Sequence, residues 1–137
     1  MIGKVDVQIT TPLHPTEVRD RVEDAIHNLF PGSEIEERHG ELVAETHSLS
    51  RLAERLDEQN IGPTARQVFL DNREGDAFWF DLKKAAAFEG VVNFAVGNPD
   101  ELGDIHVRVR VEEPDVETFV DHLVPDRENA EEESSAN

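Results

Sequence analysis

Two adjacent lysines, Lys83 and Lys84, are the residues of this chain whose type and position most favour binding chemistry. Lysine occurs only three times in the 137 residues, against ten arginines, so a pair at one place departs from the composition. Three alanines follow at 85–87 and leave room for a partner to approach. A short helix that begins here would also present backbone N–H groups to a phosphate. The pair therefore predicts a contact with the phosphates of RNA.

Four arginines extend this set of candidate contacts. They are Arg66, Arg73, Arg108 and Arg110. The competing interpretation pairs each arginine, and each lysine, with a neighbouring carboxylate on a solvated surface. Such an ion pair is worth under about 1 kcal/mol and carries no function.

Aromatic stacking is the second kind of RNA contact that the sequence offers. Trp79, the only tryptophan, and Phe88 flank the lysines and would stack on a base if they were exposed. Packing in the core is the favoured prediction for both side chains.

The sequence contains no pattern typical of a catalytic or metal site. The six histidines make no metal-ligand spacing, cysteine is absent, and neither a P-loop nor a G-x-S-x-G motif occurs. A hydrolase or nuclease would need three or more acidic or histidine side chains that converge in a cleft. We therefore predict no catalytic residue, no metal and no cofactor.

The formal net charge of −18 is spread along the chain, because residues 126–137 contribute only −4 of it. A dispersed acidic surface with few lysines is typical of proteins from salt-loving archaea, and the alternative is an ordinary acidic protein. Such a charge normally argues against a nucleic-acid partner. Molar salt weakens that argument, because it screens charges over about 3 Å.

The stretch 77–97 organises the predicted fold. Residues 77–82 and 91–96 alternate between apolar and other side chains, which predicts two strands joined by a short helix. The same patterns elsewhere predict the order β-α-β-β-α-α-β-β-β-α. The spacing of Thr64 and Gln67 predicts a capping box at the start of the third helix, and Asp115 is placed to cap the last one.

Clean alternation in several strands predicts an α+β domain, with a mainly antiparallel sheet and helices packed on one face. The other face would carry polar side chains, among them His106, Arg108 and Arg110. The prediction is one domain over residues 1–125 and a disordered acidic tail over 126–137. No signal peptide follows Met1, and no stretch approaches the roughly 20 apolar residues of a membrane span, so we expect a cytoplasmic protein with no membrane partner.

With these residues in hand, the chain resembles a family of small archaeal proteins described as predicted RNA-binding or exosome-associated. The resemblance covers about residues 2–125. It rests on the opening strand with its proline-broken turn into a helix, and on three segments further along the sequence. These are GPTAR at 62–66, FDLKKAA at 80–86 leading to VVNF at 91–94, and GNPDELG at 97–103. It implies a fold similar to the large-subunit ribosomal protein that binds 5S RNA, and it implies no catalytic residues.

The functional prediction is an RNA-binding accessory factor without catalysis. Its expected partners are RNA, a second copy in a homodimer formed through sheet or helix surfaces, and an RNA-processing protein. The alternative is a protein-interaction or dimerisation module without nucleic-acid contact. Convergence of the basic residues on one face would favour RNA, whereas carboxylates beside each of them and a large apolar patch would favour the module.

Overall fold

Eleven helices and strands follow one another in the computed structural model, which describes residues 4–95 and 103–124. The predicted acidic tail lies outside the described residues. In chain order the elements are β1 (Lys4–Pro12), α1 (Arg19–Leu29), β2 (Glu34–Arg38), β3 (Glu41–Thr46), α2 (Ser50–Glu58), α3 (Gly62–Asp71), β4 (Arg73–Glu74), β5 (Ala77–Lys83), α4 (Lys84–Ala87), β6 (Asp104–Glu113) and α5 (Val116–Leu123).

The six strands form one sheet in the order β2-β3-β1-β6-β5-β4, and every neighbouring pair is antiparallel. The predicted α+β class is therefore confirmed. Alternation explains the arrangement, because successive strand residues point to opposite faces and only one face of each strand is apolar.

The apolar face of the sheet forms the core with the helices. Inward side chains of the four central strands are buried, as are the apolar stripes of α1, α2, α3 and α5. Phe69 of α3 lies at the aromatic centre of this core, with its ring centroid 5.0 Å from that of Phe78, 4.9 Å from Phe80 and 5.9 Å from Phe94.

The strand predicted at 91–96 is wrong within the described residues. Only one bridge, between Leu82 and Phe94, connects this segment to β5, and Val96 lies outside the described residues. Gln59 instead holds the segment, because its side-chain amide accepts from the Val92 N–H at 2.8 Å and donates to the Val92 carbonyl at 2.9 Å. The apolar alternation reflects burial of Val92 and Phe94 against the core without a continuous ladder.

The two predicted helix caps have opposite outcomes. Asp115 caps α5 as predicted, since its carboxylate accepts from the Thr118 backbone N–H at 2.8 Å. That bond, followed by one from the Thr118 hydroxyl, holds the pKa of Asp115 below its ordinary value. The capping box at Thr64 is wrong, because α3 already begins at Gly62 and the Gln67 amide donates to Asp71 at 2.8 Å.

No helix in the described part of the chain is long and apolar enough to cross a membrane.

The aromatic centre yields a stability prediction. Phe69→Ala should lower the free energy of unfolding by about 3–5 kcal/mol, because it leaves a cavity among three phenyl rings. Phe88→Ala is the matched control, since Phe88 is only half-buried at the edge of the core and should cost clearly less. Denaturant unfolding of both variants measures the difference, and equal losses would contradict this description of the core.

Candidate nucleic-acid interface

Within residues 4–95 and 103–124, no helix covers the face of the sheet opposite the core, which we call the open face. Its central side chains come from the outward positions of β1, β6 and β5. They are Gln8, Thr10, His106, Arg108, Arg110, Trp79, Asp81 and Lys83. Gln8, His106, Arg108 and Arg110 are exposed, whereas Thr10, Trp79, Asp81 and Lys83 are half-buried.

Trp79 occupies an outward position, which corrects the prediction that it packs in the core. Its neighbours Phe78 and Phe80 are 0% exposed on the inward face, so alternation places Trp79 on the open face. Strand pairing sets it directly opposite Arg108, which in turn lies opposite Gln8 on β1. The indole is thus half-buried in a row that runs across three strands.

Phe88 packs against the core, as predicted, although its side chain is only half-buried. Its ring also lies 5.7 Å from the guanidinium carbon of Arg21, a cation–π contact.

Two of the six predicted cationic contacts are without an ion pair in the described part of the chain. They are Arg108, at the centre of the open face, and Lys83, at the end of β5. A cation without a local carboxylate partner does not have to break an existing contact before it binds an anion.

The other three arginines are ion-paired. Arg66 of α3 pairs with Asp121 of α5, and Arg73 lies 3.9 Å from the Glu117 carboxylate. Arg110 is on the open face, but its Nε lies 3.2 Å from Asp76, which raises the pKa of Arg110 above its ordinary value.

Lys84 is not a surface residue, which corrects its prediction as a phosphate contact. Its side chain is 1% exposed, and its Nζ donates to the Pro12 carbonyl at 2.7 Å and to the two Glu17 carboxylate oxygens at 3.1 and 3.2 Å. Lys84, the first residue of α4, therefore holds the loop between β1 and α1 against α4. Glu17 lies 67 positions away in sequence, so the dipeptide alone does not reveal this partner.

The six candidates therefore do not converge on one patch. Lys83, Arg108 and Arg110 share the open face, whereas Arg66 and Arg73 pair with carboxylates of α5. Among the described residues, Val18 and Val91 are the large apolar side chains that are exposed, so no broad apolar patch accompanies the ion pairs. The basic residues do not all converge on one face, as predicted for an RNA partner. They are also not all paired with carboxylates beside a large apolar patch, as predicted for a protein partner.

Two histidine–aspartate pairs lie on or beside the open face and were not predicted. His106 Nδ1 is 2.8 Å from Asp81 Oδ1, and His47 Nδ1 is 3.0 Å from Asp6 Oδ1. His106 and Asp81 are cross-strand partners, so knowledge of the β5–β6 register would have found them. Over residues 4–95 and 103–124, no three such side chains are placed to hold a metal ion.

Comparison with known proteins relates most of the chain to one family model. Residues 6–111 match a model described as RNA binding. A UPF0201 protein of Methanopyrus kandleri is 39% identical over 134 residues, a match that covers 88% of this chain and 84% of that protein. A UPF0200/UPF0201 protein of Archaeoglobus fulgidus is 37% identical over 123 residues, but this chain spans only 38% of its length.

Solved structures show the same fold. A crystal structure of a UPF0201 protein from Methanococcus jannaschii matches with a TM-score of 0.81 at 32% identity, covering 88% of this chain and 93% of that one. A second UPF0201 crystal structure matches with a TM-score of 0.83 at 35% identity, covering 88% and 94%.

The buried lysine yields a prediction that separates Lys84 from Lys83. Lys84→Met should lower the free energy of unfolding by about 3–5 kcal/mol, because it leaves the Glu17 carboxylate buried without its cation. Lys83→Met, the matched control, should change it by no more than about 0.5 kcal/mol. Denaturant unfolding measures both, and the double variant Lys84→Met/Glu17→Gln should recover part of the loss. Equal stability of the two single variants would show that the ion pair is unimportant.

Proposed function

The chain belongs to the UPF0201 family, an archaeal family whose model is described as RNA binding, and we propose that it binds single-stranded RNA on its open face. In this role it is a cytoplasmic accessory factor that presents RNA to a processing protein and has no catalytic residues of its own. The family description supports RNA as the partner. The open face supports the place of binding.

The observation that carries the proposal is the row of Trp79, Arg108 and Gln8 across β5, β6 and β1. It combines an indole, a guanidinium without an ion pair among the described residues, and a side-chain amide on the uncovered face of a sheet. A base stacks on an aromatic ring with a gain of about 1–3 kcal/mol, whatever its identity. Sheets that display aromatic side chains are a recurrent platform for unstacked RNA bases.

Lys83 lies on the same strand as Trp79, four residues further along β5, and is the proposed phosphate contact. Arg110 lies at the other end of the face, and its ion pair with Asp76 makes it a weaker contact. Arg66 and Arg73 are weaker still, because both face carboxylates of α5. Lys84 no longer belongs to the set, because its ammonium is held by Glu17.

The charge of the protein restricts how such binding works. With a net charge of −18, long-range attraction of RNA is absent, and affinity has to come from stacking and directed hydrogen bonds. An acidic protein adapted to molar salt would bind RNA in this manner, because salt removes most of the repulsion between the two polyanions.

A protein-interaction module is the second candidate, favoured by the carboxylate partners of Arg66, Arg73 and Arg110. It requires no contact between Trp79 and a base. Homodimerisation through the sheet is compatible with either function, but it would compete with RNA if it covered the open face.

Removal of the stacking platform is the direct test. Trp79→Ala should weaken binding of a labelled oligouridine by about 5- to 150-fold, as expected for the loss of one stacked base. Arg108→Ala should weaken it roughly tenfold or more, the value of a charged hydrogen bond. Fluorescence anisotropy in KCl measures both affinities.

The matched control is Arg51→Ala. Arg51 lies on α2, away from the open face, and pairs with Glu54 at 2.8 Å, so its loss removes the same charge without touching the row. Absence of RNA binding by the unchanged protein would favour the interaction module. An Arg51 effect as large as the Arg108 effect would point to a non-specific charge contribution.

Salt dependence gives a second test. Release of counterions from single-stranded RNA gives a slope of log affinity against log salt of about −0.7 per neutralised phosphate. With Lys83 and Arg108 as the two candidate contacts that lack ion pairs in the described part of the chain, the slope should be about −1.4 or shallower. Titrations at several KCl concentrations measure it. A slope steeper than about −4, which corresponds to roughly six phosphates, would contradict binding by stacking.

A further inference from the structure

Two side chains near Trp79 have opposite hydrogen-bonding roles: Arg108 can only donate, and the Asp81 carboxylate can only accept. We infer that the open face prefers guanine, with Trp79 as the stacking platform, Arg108 as the donor and Asp81 as the acceptor. This inference rests on the proposed function, because it names the base that the same surface selects.

Strand geometry brings these three side chains within the dimensions of one base. Trp79 and Asp81 are two residues apart on β5, so they share the open face and are separated by about 7 Å. Arg108 and His106 lie directly opposite them on β6, where cross-strand side chains begin about 4.5–5.5 Å apart. A ring stacked on the indole therefore has Arg108 and Asp81 on different sides.

The hydrogen-bonding capacity of Arg108 and Asp81 is largely unused. The Arg108 side chain makes no hydrogen bond or ion pair with the described residues, so its guanidinium N–H groups are available to a ligand. Among the described residues, the Asp81 carboxylate forms a hydrogen bond with His106, whose Nδ1 lies 2.8 Å from Oδ1. The imidazole donates that bond and orients the carboxylate, while Oδ2 and the second lone pair of Oδ1 can still accept.

Guanine is the base whose edges complement this arrangement. Its N7 and O6 are adjacent acceptors that match a guanidinium bidentately. Its N1–H and N2–H₂ are adjacent donors that match a carboxylate. Adenine and cytosine place an acceptor where guanine has N1–H, and uracil has one N–H donor and no exocyclic amine. Each of these would leave the carboxylate without a bidentate partner.

An ordinary surface ion pair would account for Asp81 and His106 alone. It would not account for the arginine without a partner and the outward indole in the adjacent cross-strand row. The combination of a donor, an acceptor and a stacking ring is what selects one base, and all three sit on rigid strands of the sheet.

The test compares heptamers of uridine that carry one central G, A, C or inosine. A single G avoids the quadruplexes that G-rich RNA forms in KCl. Trp79 is the only tryptophan, so quenching of its fluorescence reports directly on stacking. We expect the G heptamer to bind about 5- to 150-fold more tightly than the A heptamer, the range of one bidentate contact. Inosine, which lacks the exocyclic amine, should fall between them.

Protein variants distinguish base selection from general affinity. Asp81→Asn should lower the preference for G over A, because only the Arg108 contact with N7 and O6 then discriminates between the two bases. Quenching by all heptamers should persist, because stacking on Trp79 is unchanged. Glu45→Gln is the matched control: it removes the same charge from the same face, three strands away from Trp79, and should leave the preference unchanged.

The outcomes separate the two proposals. Equal affinity for all four heptamers, with quenching, would overturn the guanine preference and leave RNA binding in place. A preference for G that is undiminished in Asp81→Asn would overturn the role of the carboxylate. No binding of any heptamer, by quenching or by anisotropy, would overturn both proposals together.

Discussion

The two-residue periodicity of paired strands is the constraint on which the rest of this structure depends. In β5 and β6 it sends Phe78, Phe80 and Val107 into the core and leaves Trp79 and Arg108 on the other side. A slip of one residue would exchange the two faces, which would expose the phenyl rings and bury the arginine. The same register that stabilises the core therefore fixes which functional groups face solvent and which of them stand opposite each other.

Local patterns in the sequence were sufficient for most of the fold. Five strands, the five helices and the cap at Asp115 follow from apolar periodicity, helix propensity and helix-start chemistry, which act over a few residues. The two-residue strand β4 is too short to show any alternation. The segment around Val92 misled the prediction, because a single bridge to Leu82 and the distant amide of Gln59 hold it in place of a continuous ladder.

The candidate site was less predictable because its character is set by pairs distant in sequence. Lys83 and Lys84 look alike in sequence, yet one stays near the surface and the other is enclosed by Glu17 and the Pro12 carbonyl. Among the arginines, Arg110 forms an ion pair with Asp76, whereas Arg108, two residues earlier on the same strand, forms none with the described residues. Trp79 could be assigned to the open face only when alternation was given more weight than the general preference of tryptophan for burial.

The strand order also governs how the chain folds. The two strands at the middle of the sheet, β1 and β6, come from opposite parts of the chain, and their ladder joins Lys4 to Glu113 at one end and Thr10 to His106 at the other. Contacts so remote in sequence form only after a large loss of chain entropy, which slows folding. Until β6 pairs, no strand ladder joins the hairpin of β2 and β3 to the strand β5. Trp79 and Arg108 therefore become neighbours only when β6 pairs with β5, and a nascent chain cannot hold RNA there before β6 has been synthesised.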